Sequence, residues 1–250
     1  MSQAYRRILL KISGEAFCKP GGFGVDIEAV EHVANMAKEI VALDCELAVV
    51  VGGGNFVRGS ALSKLGIDRG TADYVGMLAT IMNAMILQER LANHDVTTRI
   101  LSALTIHQCA EPFIRKRCIR HLEKERIVIL AGGTGNPFFT TDTSAALRAH
   151  EIGADVLLKA TKVDGVYDKD PNEFNDAKRF ERLNYLEVIT REIKVMDRTA
   201  ITLAMEHKLP IIVFDMMQPG AVARAIRGES IGTLIAADVA ESPKGQGEPQ

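Results

Sequence analysis

Short apolar runs alternate with longer amphipathic segments along most of this chain, and this alternation limits the folds that are open to it. A short continuous apolar run is typical of a strand buried on both faces, whereas apolar residues at three- and four-residue spacing indicate a helix. The predicted strands are 7–12, 47–51, 97–103, 126–130, 155–159, 209–214 and 232–235. The predicted helices are 27–41, 74–92, 113–122, 145–152, 186–193, 199–207 and 221–227. Strands separated by helices favour an α/β fold, a three-layer sandwich with a largely parallel central sheet between two layers of helices.

The chain has 250 residues, 47% of them hydrophobic, and is long enough to bury a sizeable core. We predict a single domain over residues 1–238, followed by a tail at 239–250 that has no periodicity and is expected to be disordered. The net charge of −2, without a long block of like charge, argues against a nucleic-acid or membrane surface. No apolar run reaches about 18 residues, so no membrane span is expected.

The cysteines and histidines favour a cytoplasmic protein without a metal centre of its own. The first apolar run, residues 8–10, is too short for a signal peptide. The four cysteines form no Cys-x-x-Cys pair and are expected to be reduced thiols. The six histidines show none of the spacings of zinc ligands, so no metal site formed by the protein alone is expected.

The segment Ala131–Ser144 has the composition of an anion-binding turn. It follows the predicted strand 126–130 and precedes the predicted helix 145–152. Its three glycines let the backbone approach a ligand closely, and the five residues from Thr140 to Ser144 can all cap a helix. Free backbone N–H groups and the helix dipole at such a junction bind anions. An ordinary strand-to-helix turn is the alternative, but it needs only one glycine and one capping residue.

Three further polar segments follow predicted strands. They are Lys11 at the end of the first strand, residues 52–58 after the second, and residues 159–170 at and after the end of the strand 155–159. Because the carboxyl ends of parallel strands share one edge of a sheet, where ligands bind, we expect these segments to converge. Each also has a purely structural interpretation. Lys11 can be a surface charge, Arg58 a solvated side chain, and the loop 160–171 a solvated hairpin.

Two aspartates stand at the starts of predicted helices. Asp73 is either the cap of the helix 74–92, for which Thr71 is the other candidate, or a ligand contact at the mouth of that helix. Asp197 is expected to cap the helix 199–207.

The polar segments contain neither of two common phosphate-binding motifs. No G-x-x-x-x-G-K-[S/T] sequence occurs, which argues against a P-loop protein. The pattern G-x-G-x-x-G fails at Val57 and again at Phe138, where its third glycine would stand. The loops offer lysine, arginine and aspartate but no cysteine or histidine nucleophile. That set suits phosphoryl transfer, in which catalysis is mostly positioning and neutralisation of charge.

Four segments together resemble the bacterial uridylate (UMP) kinases of the amino-acid kinase superfamily. They are residues 11–14 (KISG), 52–59 (GGGNFVRG), 133–142 (GTGNPFFTTD) and 159–167 (KATKVDGVY). The resemblance covers about residues 5–238, and the TGNPFFTTD stretch is its most specific part. It implies transfer of the γ-phosphoryl group of ATP to UMP, which gives UDP in pyrimidine nucleotide biosynthesis, with Mg²⁺ as the cofactor.

The resemblance also implies the residues of the site. Those implied for ATP are Lys11, Ile12, Ser13, Gly14, Gly54, Arg58, Thr161, Tyr167 and Asp170. Those implied for UMP are Gly53, Asp73, Thr134, Gly135, Asn136, Pro137, Phe138, Phe139, Thr140 and Thr141. The catalytic residues implied are Lys11, Arg58, Asp142 and Asp197. In this scheme Lys11 and Mg²⁺ neutralise charge on the transferred group and Arg58 steadies the phosphates. Either Asp142 or Asp197 orients Lys11 or the metal, which is held mainly by the ATP phosphates.

Members of this family are typically homohexamers, and many are activated by GTP and inhibited by UTP. The helix 74–92 is apolar nearly all round, which favours a subunit interface over a monomer core. Where the best-known relatives carry basic residues that bind the effector, this chain has Gln88 and Ala92, and only Arg99 and Arg126 match. The resemblance therefore does not carry GTP activation over to this chain.

Two alternatives to a UMP kinase remain open from the sequence. The first is another kinase of the same superfamily that phosphorylates a carboxylate such as acetylglutamate or aspartate, against which the TGNPFFTTD stretch argues. The second is a non-catalytic relative that binds a nucleotide or an oxyanion. The presence of Lys11, Arg58 and Asp142 argues against that second alternative.

Overall fold

The computed structural model describes residues 4–57, 62, 64–171 and 173–237. Its strands include β1 (Arg7–Ile12), β2 (Glu46–Val51), β3 (Thr98–Ser102), β4 (Glu111–Pro112), β5 (Ile127–Ala131), β6 (Val156–Thr161), β7 (Val166–Tyr167), β8 (Arg179–Phe180), β9 (Arg182–Leu183), β10 (Ile211–Asp215) and β11 (Thr233–Ile235). Its α-helices include α1 (Ile27–Val41), α2 (Arg69–Ala92), α3 (Arg115–Leu122), α4 (Thr141–Ile152), α5 (Tyr185–Thr190), α6 (Arg198–Glu206) and α7 (Ala221–Ile226). A short 3₁₀ helix spans Gly14–Phe17. The tail predicted at 239–250 lies outside the described residues.

The central sheet has the order β4-β3-β5-β2-β1-β6-β10-β11-β9 within the described part of the chain. Its neighbouring strands run parallel, except that β10 and β11 are antiparallel. The predicted α/β fold with a largely parallel sheet is confirmed. Since β5, β2, β1 and β6 are consecutive in the sheet, the polar segments that follow them leave from neighbouring carboxyl ends.

The side chains of each central strand alternate between two buried cores, one on each face of the sheet. In β1, Ile8, Leu10 and Ile12 belong to a core that α1, α2 and α7 also enter. Leu9 points to the opposite face, into a core that α3, α4, α5 and α6 enter. Burial on both faces explains why these strands are continuous apolar runs in the sequence, and it confirms the predicted three layers.

Helix α2 begins at Arg69 rather than at Tyr74, and the predicted cap at Thr71 or Asp73 is wrong. The cap is Asp68, whose carboxylate accepts a hydrogen bond from the backbone N–H of Thr71 at 3.2 Å. The first residues of the helix include no large apolar side chain, so its periodicity becomes visible in the sequence only a turn later.

Only part of the apolar surface of α2 is buried within this chain. Ala84, Leu87 and Leu91 are fully buried in the core. A second row of large apolar side chains, spaced about one helical turn apart, is between 44% and 47% exposed. This row consists of Tyr74, Leu78, Met82 and Met85.

The pattern of the sequence did not predict the shortest strands. β4 and the antiparallel pair β7–β8 have two residues per strand, which is too short for a periodicity to show. Because β7 pairs with β8, part of the loop 160–171 belongs to a hairpin. A hairpin was one of the two structures that the sequence allowed for this loop. Among the described residues, no helix combines the length and the apolar character needed to cross a bilayer.

Candidate active site

Lys11, Asp142 and Lys159 form a buried charge cluster at the carboxyl edge of the sheet. The Nζ atom of Lys11 lies 2.6 Å from Oδ1 of Asp142. Lys159 Nζ donates a hydrogen bond to Oδ2 of the same carboxylate at 2.7 Å and another to the carbonyl oxygen of Val195 at 2.5 Å. One carboxylate thus faces two amino groups, so the cluster can place positive charge where negative charge develops in a reaction.

The sheet and one helix bring this cluster together. In the parallel pairing of β1 with β6, Lys11 lies directly beside Lys159. Each lysine ends a run of three aliphatic residues, Ile-Leu-Leu in β1 and Val-Leu-Leu in β6. Asp142 comes from the first turn of α4, where a carboxylate also interacts favourably with the helix dipole. Two equivalent strand ends and one helix start therefore define the site.

At Asp142 the charges of the two lysines outweigh the effect of burial on the pKa. Burial alone would raise the pKa of Asp142, but the charges and hydrogen bonds of Lys11 and Lys159 hold the pKa of this carboxyl group below its ordinary value. Burial lowers the pKa of Lys159, which Asp142 opposes and the charge of Lys11 reinforces. Asp142 is therefore ionised at neutral pH and can hold both lysines in place.

Asp197 holds the start of α4 to the start of α6. Its carboxylate accepts hydrogen bonds from the hydroxyl groups of Thr140 at 2.5 Å and Thr143 at 2.8 Å, and it caps α6 as predicted. Thr140 in turn caps α4 by accepting hydrogen bonds from backbone N–H groups. Of the two aspartates between which the sequence left the choice open, Asp142 is the one that contacts Lys11.

Two glycine turns contact each other through their backbones. The first turn, at Gly14, follows β1, and the second turn, at residues 52–54, follows β2. A Cβ atom on Gly14 would lie 2.3 Å from the backbone nitrogen of Gly54, and one on Gly52 would lie 2.6 Å from the backbone nitrogen of Gly14. A Cβ atom on Gly53 would lie 2.7 Å from that of Ala79 in α2. Glycine is therefore required at these positions, and the turns present backbone that can approach a phosphate closely.

A cavity of about 180 Å³ opens between the second glycine turn, α2 and the segment that leads into α4. Residues assigned to a nucleotide from the sequence make up half of its lining. They are Gly53, Gly54, Asp73, Thr134, Phe139 and Thr141. The cavity thus brings together residues that are far apart in the chain but were assigned to one pair of ligands.

Asp73 joins the two walls of this cavity. Its carboxylate accepts a hydrogen bond from the backbone N–H of Phe138 at 2.7 Å and lies 3.3 Å from Nε of Arg69. Phe138 has a φ of 72°, which is unusual for an aromatic residue, and its side chain is 65% exposed. Asp73 therefore lies near the N-terminus of α2, where it holds a strained turn of the segment assigned to UMP.

The rest of that segment folds on itself and packs against the start of α2. The hydroxyl of Thr134 donates to the carbonyl oxygen of Asn136 at 3.1 Å and accepts from its backbone N–H at 3.2 Å. Gly135 has a φ of 82°, which this tight turn requires. A Cβ atom on Gly70 would lie 3.9 Å from that of Pro137. The segment assigned to UMP is thus a compact turn held against α2.

The residues assigned to the adenosine end of ATP lie at the end of β6 and after it, on the other side of β1 from the cavity. The hydroxyl of Thr161 donates to the carbonyl oxygen of Val163 at 2.6 Å. The hydroxyl of Tyr167 donates to Oδ1 of Asp164 at 2.6 Å, and the carbonyl oxygen of Asp170 accepts from the backbone of a nearby residue. The two groups of assigned residues therefore flank the β1 end that carries Lys11.

Sequence reasoning placed Lys159 at the carboxyl edge of the sheet but gave it no catalytic role, and it missed the bridging contact of Lys162. Lys162 Nζ donates to the carbonyl oxygen of Glu15 at 3.3 Å, which joins the loop after β6 to the 3₁₀ helix after β1. The repeated aliphatic-Leu-Leu-Lys pattern could have identified Lys159 as the counterpart of Lys11. Arg58 lies outside the described residues, so its role stays a prediction.

Four positions correspond to the basic effector-binding residues that the family resemblance implies. They lie near the C-terminus of α2 and in the chain that follows it. Gln88 donates to the carbonyl oxygen of Thr98 at 3.5 Å, and Ala92 is the last residue of the helix. The guanidinium of Arg99 is 3.8 Å from Glu111, and that of Arg126 is 3.1 Å from Nδ1 of His121.

This chain is similar to a known protein family and to several solved structures. The model of the amino acid kinase family matches residues 6–215. The structure of the UMP kinase from Bacillus anthracis is 40% identical, with 94% of this chain and 97% of that chain covered and a TM-score of 0.92. The UMP kinase from Ureaplasma parvum is 33% identical, with 92% and 98% covered and a TM-score of 0.86. The uridylate kinase from Archaeoglobus fulgidus is 29% identical, with 92% and 99% covered and a TM-score of 0.71.

Proposed function

This chain belongs to the amino acid kinase family, and we propose that it is a UMP kinase that converts ATP and UMP into ADP and UDP. The observation that carries the proposal is the cluster of Lys11, Asp142 and Lys159 beside a cavity lined by the TGNPFFTTD segment. The relatives named as UMP kinases are similar over nearly their whole length, so no large part of those chains lacks a counterpart here.

In the proposed reaction an oxygen of the UMP phosphate attacks the γ-phosphorus of ATP. A new P–O bond forms to UMP, the bond from the γ-phosphorus to the bridging oxygen breaks, and ADP leaves with the electron pair of that bond. The attacking phosphate is already ionised at neutral pH, so the step needs no general base. Lys11 and Lys159 interact with the charge on the transferred oxygens, and Asp142 keeps both amino groups aimed at that position.

The two nucleotides are proposed to lie end to end across β1. ATP would contact Lys11, Ile12, Ser13, Gly14, Gly54, Arg58, Thr161, Tyr167 and Asp170. UMP would contact Gly53, Asp73 and the segment 134–141. Support comes from the arrangement of these groups on opposite sides of the charge cluster, with the glycine turns between them.

Mg²⁺ is proposed to arrive as part of the MgATP substrate. Within the described residues, no group of three histidine, cysteine, aspartate or glutamate side chains could hold a metal ion. Both oxygens of Asp142 already face lysines, which also argues against a carboxylate-bound metal at the centre of the site. The ion would neutralise charge on the phosphates that carry it.

The protein is proposed to be a cytoplasmic homo-oligomer, with a hexamer as the expected form, that acts in pyrimidine nucleotide biosynthesis. The exposed apolar row on α2 supports assembly, because water is an unfavourable environment for four large apolar side chains in one row. Allosteric control by UTP is proposed from the resemblance, whereas Gln88 and Ala92 argue against the GTP response.

A coupled assay of ADP release, with the second product identified by chromatography, tests the proposed function. Each reaction contains the protein, MgATP and one candidate acceptor. The acceptors are UMP, CMP, dUMP, AMP, acetylglutamate and aspartate. The expected result is rapid formation of UDP and little turnover with the carboxylate acceptors. Phosphorylation of a carboxylate instead of UMP, or binding of ATP without any product, would overturn the proposal.

A further inference from the structure

Asn55 and Asn83 form a reciprocal amide pair beneath the second glycine turn. Asn83 Nδ2 donates to Oδ1 of Asn55 at 2.7 Å, and Asn55 Nδ2 donates to Oδ1 of Asn83 at 3.0 Å. The two residues are 1% and 0% exposed. Two buried primary amides are expensive to desolvate, so the pair needs every hydrogen bond satisfied.

The pair uses all four of its amide hydrogens. The second hydrogen of Asn83 goes to the carbonyl oxygen of Gly52 at 2.7 Å, and the second hydrogen of Asn55 goes to the carbonyl oxygen of Gly24 at 2.8 Å. Both outer partners are carbonyl oxygens, so a flipped amide would place oxygen against oxygen. The orientation of each side chain is therefore determined by its surroundings.

This pair joins α2 and the second glycine turn, both parts of the proposed site, to the neighbouring loop at Gly24. It ties α2 to the glycine turn 52–54 through Gly52, and it ties that turn to the loop at Gly24, whose N–H also donates to the carbonyl oxygen of Asn55. A Cβ atom on Gly14 would lie 2.8 Å from Oδ1 of Asn55, so the pair also lies directly against the first glycine turn.

Helix α2 carries a second connection to the site near its N-terminus. Asp73 holds the backbone of Phe138, in the segment proposed to bind UMP. Asn83 is ten residues further along the same helix, which corresponds to about 15 Å. One rigid helix thus links the acceptor segment to the glycine turn at which the phosphates would meet.

We propose that Asn55 and Asn83 are positioning residues for phosphoryl transfer. By locking the turn 52–54 to α2, they fix the distance and angle between the acceptor phosphate and the γ-phosphoryl group. This inference rests on the proposed function of the site. Neither side chain contacts a nucleotide in this scheme, because both are buried beneath the turn, so their loss affects the alignment of the reactants more than the binding of either one.

The expected consequence is a fall in kcat with little change in KM. In-line transfer depends steeply on geometry, and a displacement of about 1 Å lowers the rate on the order of 100-fold. We therefore expect Asn83→Ala and Asn55→Ala each to lower kcat by roughly 10- to 100-fold, with the KM values for ATP and UMP nearly unchanged. The double variant is expected to be about as slow as the slower single variant, since the two amides act as one unit.

Steady-state kinetics of the full-length chain, with thermal unfolding of each variant, test this proposal. Leu87→Ala is the matched control, since Leu87 is fully buried one turn further along α2 and packs into the core. It should lower the melting temperature while leaving the kcat of the folded protein close to that of the unchanged enzyme. If Asn83→Ala does not fold, Asn83→Ser, which keeps one donor, is expected to show a smaller fall in kcat of the same kind.

The outcomes separate this proposal from the proposed function. Failure of the unchanged protein to form UDP overturns the proposed function and this inference with it. An active protein whose folded Asn83 and Asn55 variants keep a normal kcat overturns the inference alone. So does a rise in KM without a fall in kcat, or an equal fall in kcat for Leu87→Ala.

Discussion

Lys11 and Asp142 form an ion pair of 2.6 Å between the end of the first strand and the first turn of α4, and their side chains are only 8% and 15% exposed. Removal of Asp142 would leave two buried lysines without their counter-charge, whereas removal of Lys11 would leave Asp142 paired with one lysine only. Lys159 shares the same carboxylate. The three side chains therefore respond to substitution as one unit, in stability as well as in activity.

Lys11→Ala is expected to lower kcat by about 10²–10³, the usual effect of losing one group that stabilises charge in a transition state. The measurement is steady-state production of UDP at saturating MgATP and UMP. Lys124→Ala, which removes an exposed lysine outside the site, is the control and should keep full activity. Near-normal turnover of the Lys11 variant would exclude this residue from the chemistry.

Lys159→Met is expected to lower kcat by a similar factor, about 10²–10³, because Lys159 faces the same carboxylate in register with Lys11. Methionine keeps much of the length and apolar character of the side chain while removing its charge. Nucleotide binding, measured by calorimetry with ADP, reports whether the pocket is intact. Loss of ADP binding with unchanged kcat would make Lys159 a nucleotide-binding residue and not a group that stabilises the transition state.

Asp142→Asn is expected to destabilise the fold by about 3 kcal/mol at pH 7, since it leaves two buried lysines without their counter-charge. Because the two lysines hold the pKa of Asp142 below its ordinary value, the carboxylate stabilises the folded state above the unfolded pKa of about 4. That stabilisation is lost as the pH falls through the lower, folded pKa. Urea unfolding at several pH values measures the free energy of unfolding of the unchanged protein and of the variant. The difference between the two free energies should narrow below about pH 4. A difference in the free energy of unfolding that stays constant at acidic pH would contradict this assignment.

Asp73→Ala is expected to raise the KM for UMP by about tenfold with little change in kcat, as loss of a binding interaction does. The structural reason is that Asp73 accepts the backbone hydrogen bond of Phe138 and so shapes the segment proposed to bind UMP. Asp73→Asn retains an acceptor oxygen for that bond and should show a smaller rise. An unchanged KM for UMP in both variants would remove Asp73 from the acceptor site.

The sequence was sufficient to predict the layers of the fold, because strands buried on both faces and helices buried on one face leave different periodicities. It also predicted that the polar segments converge, since parallel strands share one carboxyl edge. It could not decide between Asp142 and Asp197 as the partner of Lys11. That choice depends on how α4 and α6 pack, which places Asp197 against Thr140 and Thr143 instead.

Other features of the structure could not be predicted from the periodicity of apolar residues. Asp68 caps α2 ahead of residues that include no large apolar side chain, so the helix start was placed too late. Asn83 interrupts an apolar helix, and in the sequence a buried asparagine with a partner cannot be distinguished from an exposed one. Its partner Asn55 is distant in the chain, and only the packing of α2 against the glycine turn brings the two amides together.

Met82→Glu is expected to disrupt the proposed oligomer, since it places a carboxylate in the middle of the exposed apolar row on α2. Burial of an unpaired charge in an apolar interface is strongly unfavourable, so the assembled form should dissociate, which size-exclusion chromatography with light scattering would show as a lower molar mass. Leu186→Glu is a suitable control, because Leu186 is 60% exposed and lies on α5, outside this row. Identical masses for the unchanged protein and the Met82 variant would show that the row on α2 is not an interface, whereas dissociation caused only by the Leu186 change would place the interface on the opposite layer of helices.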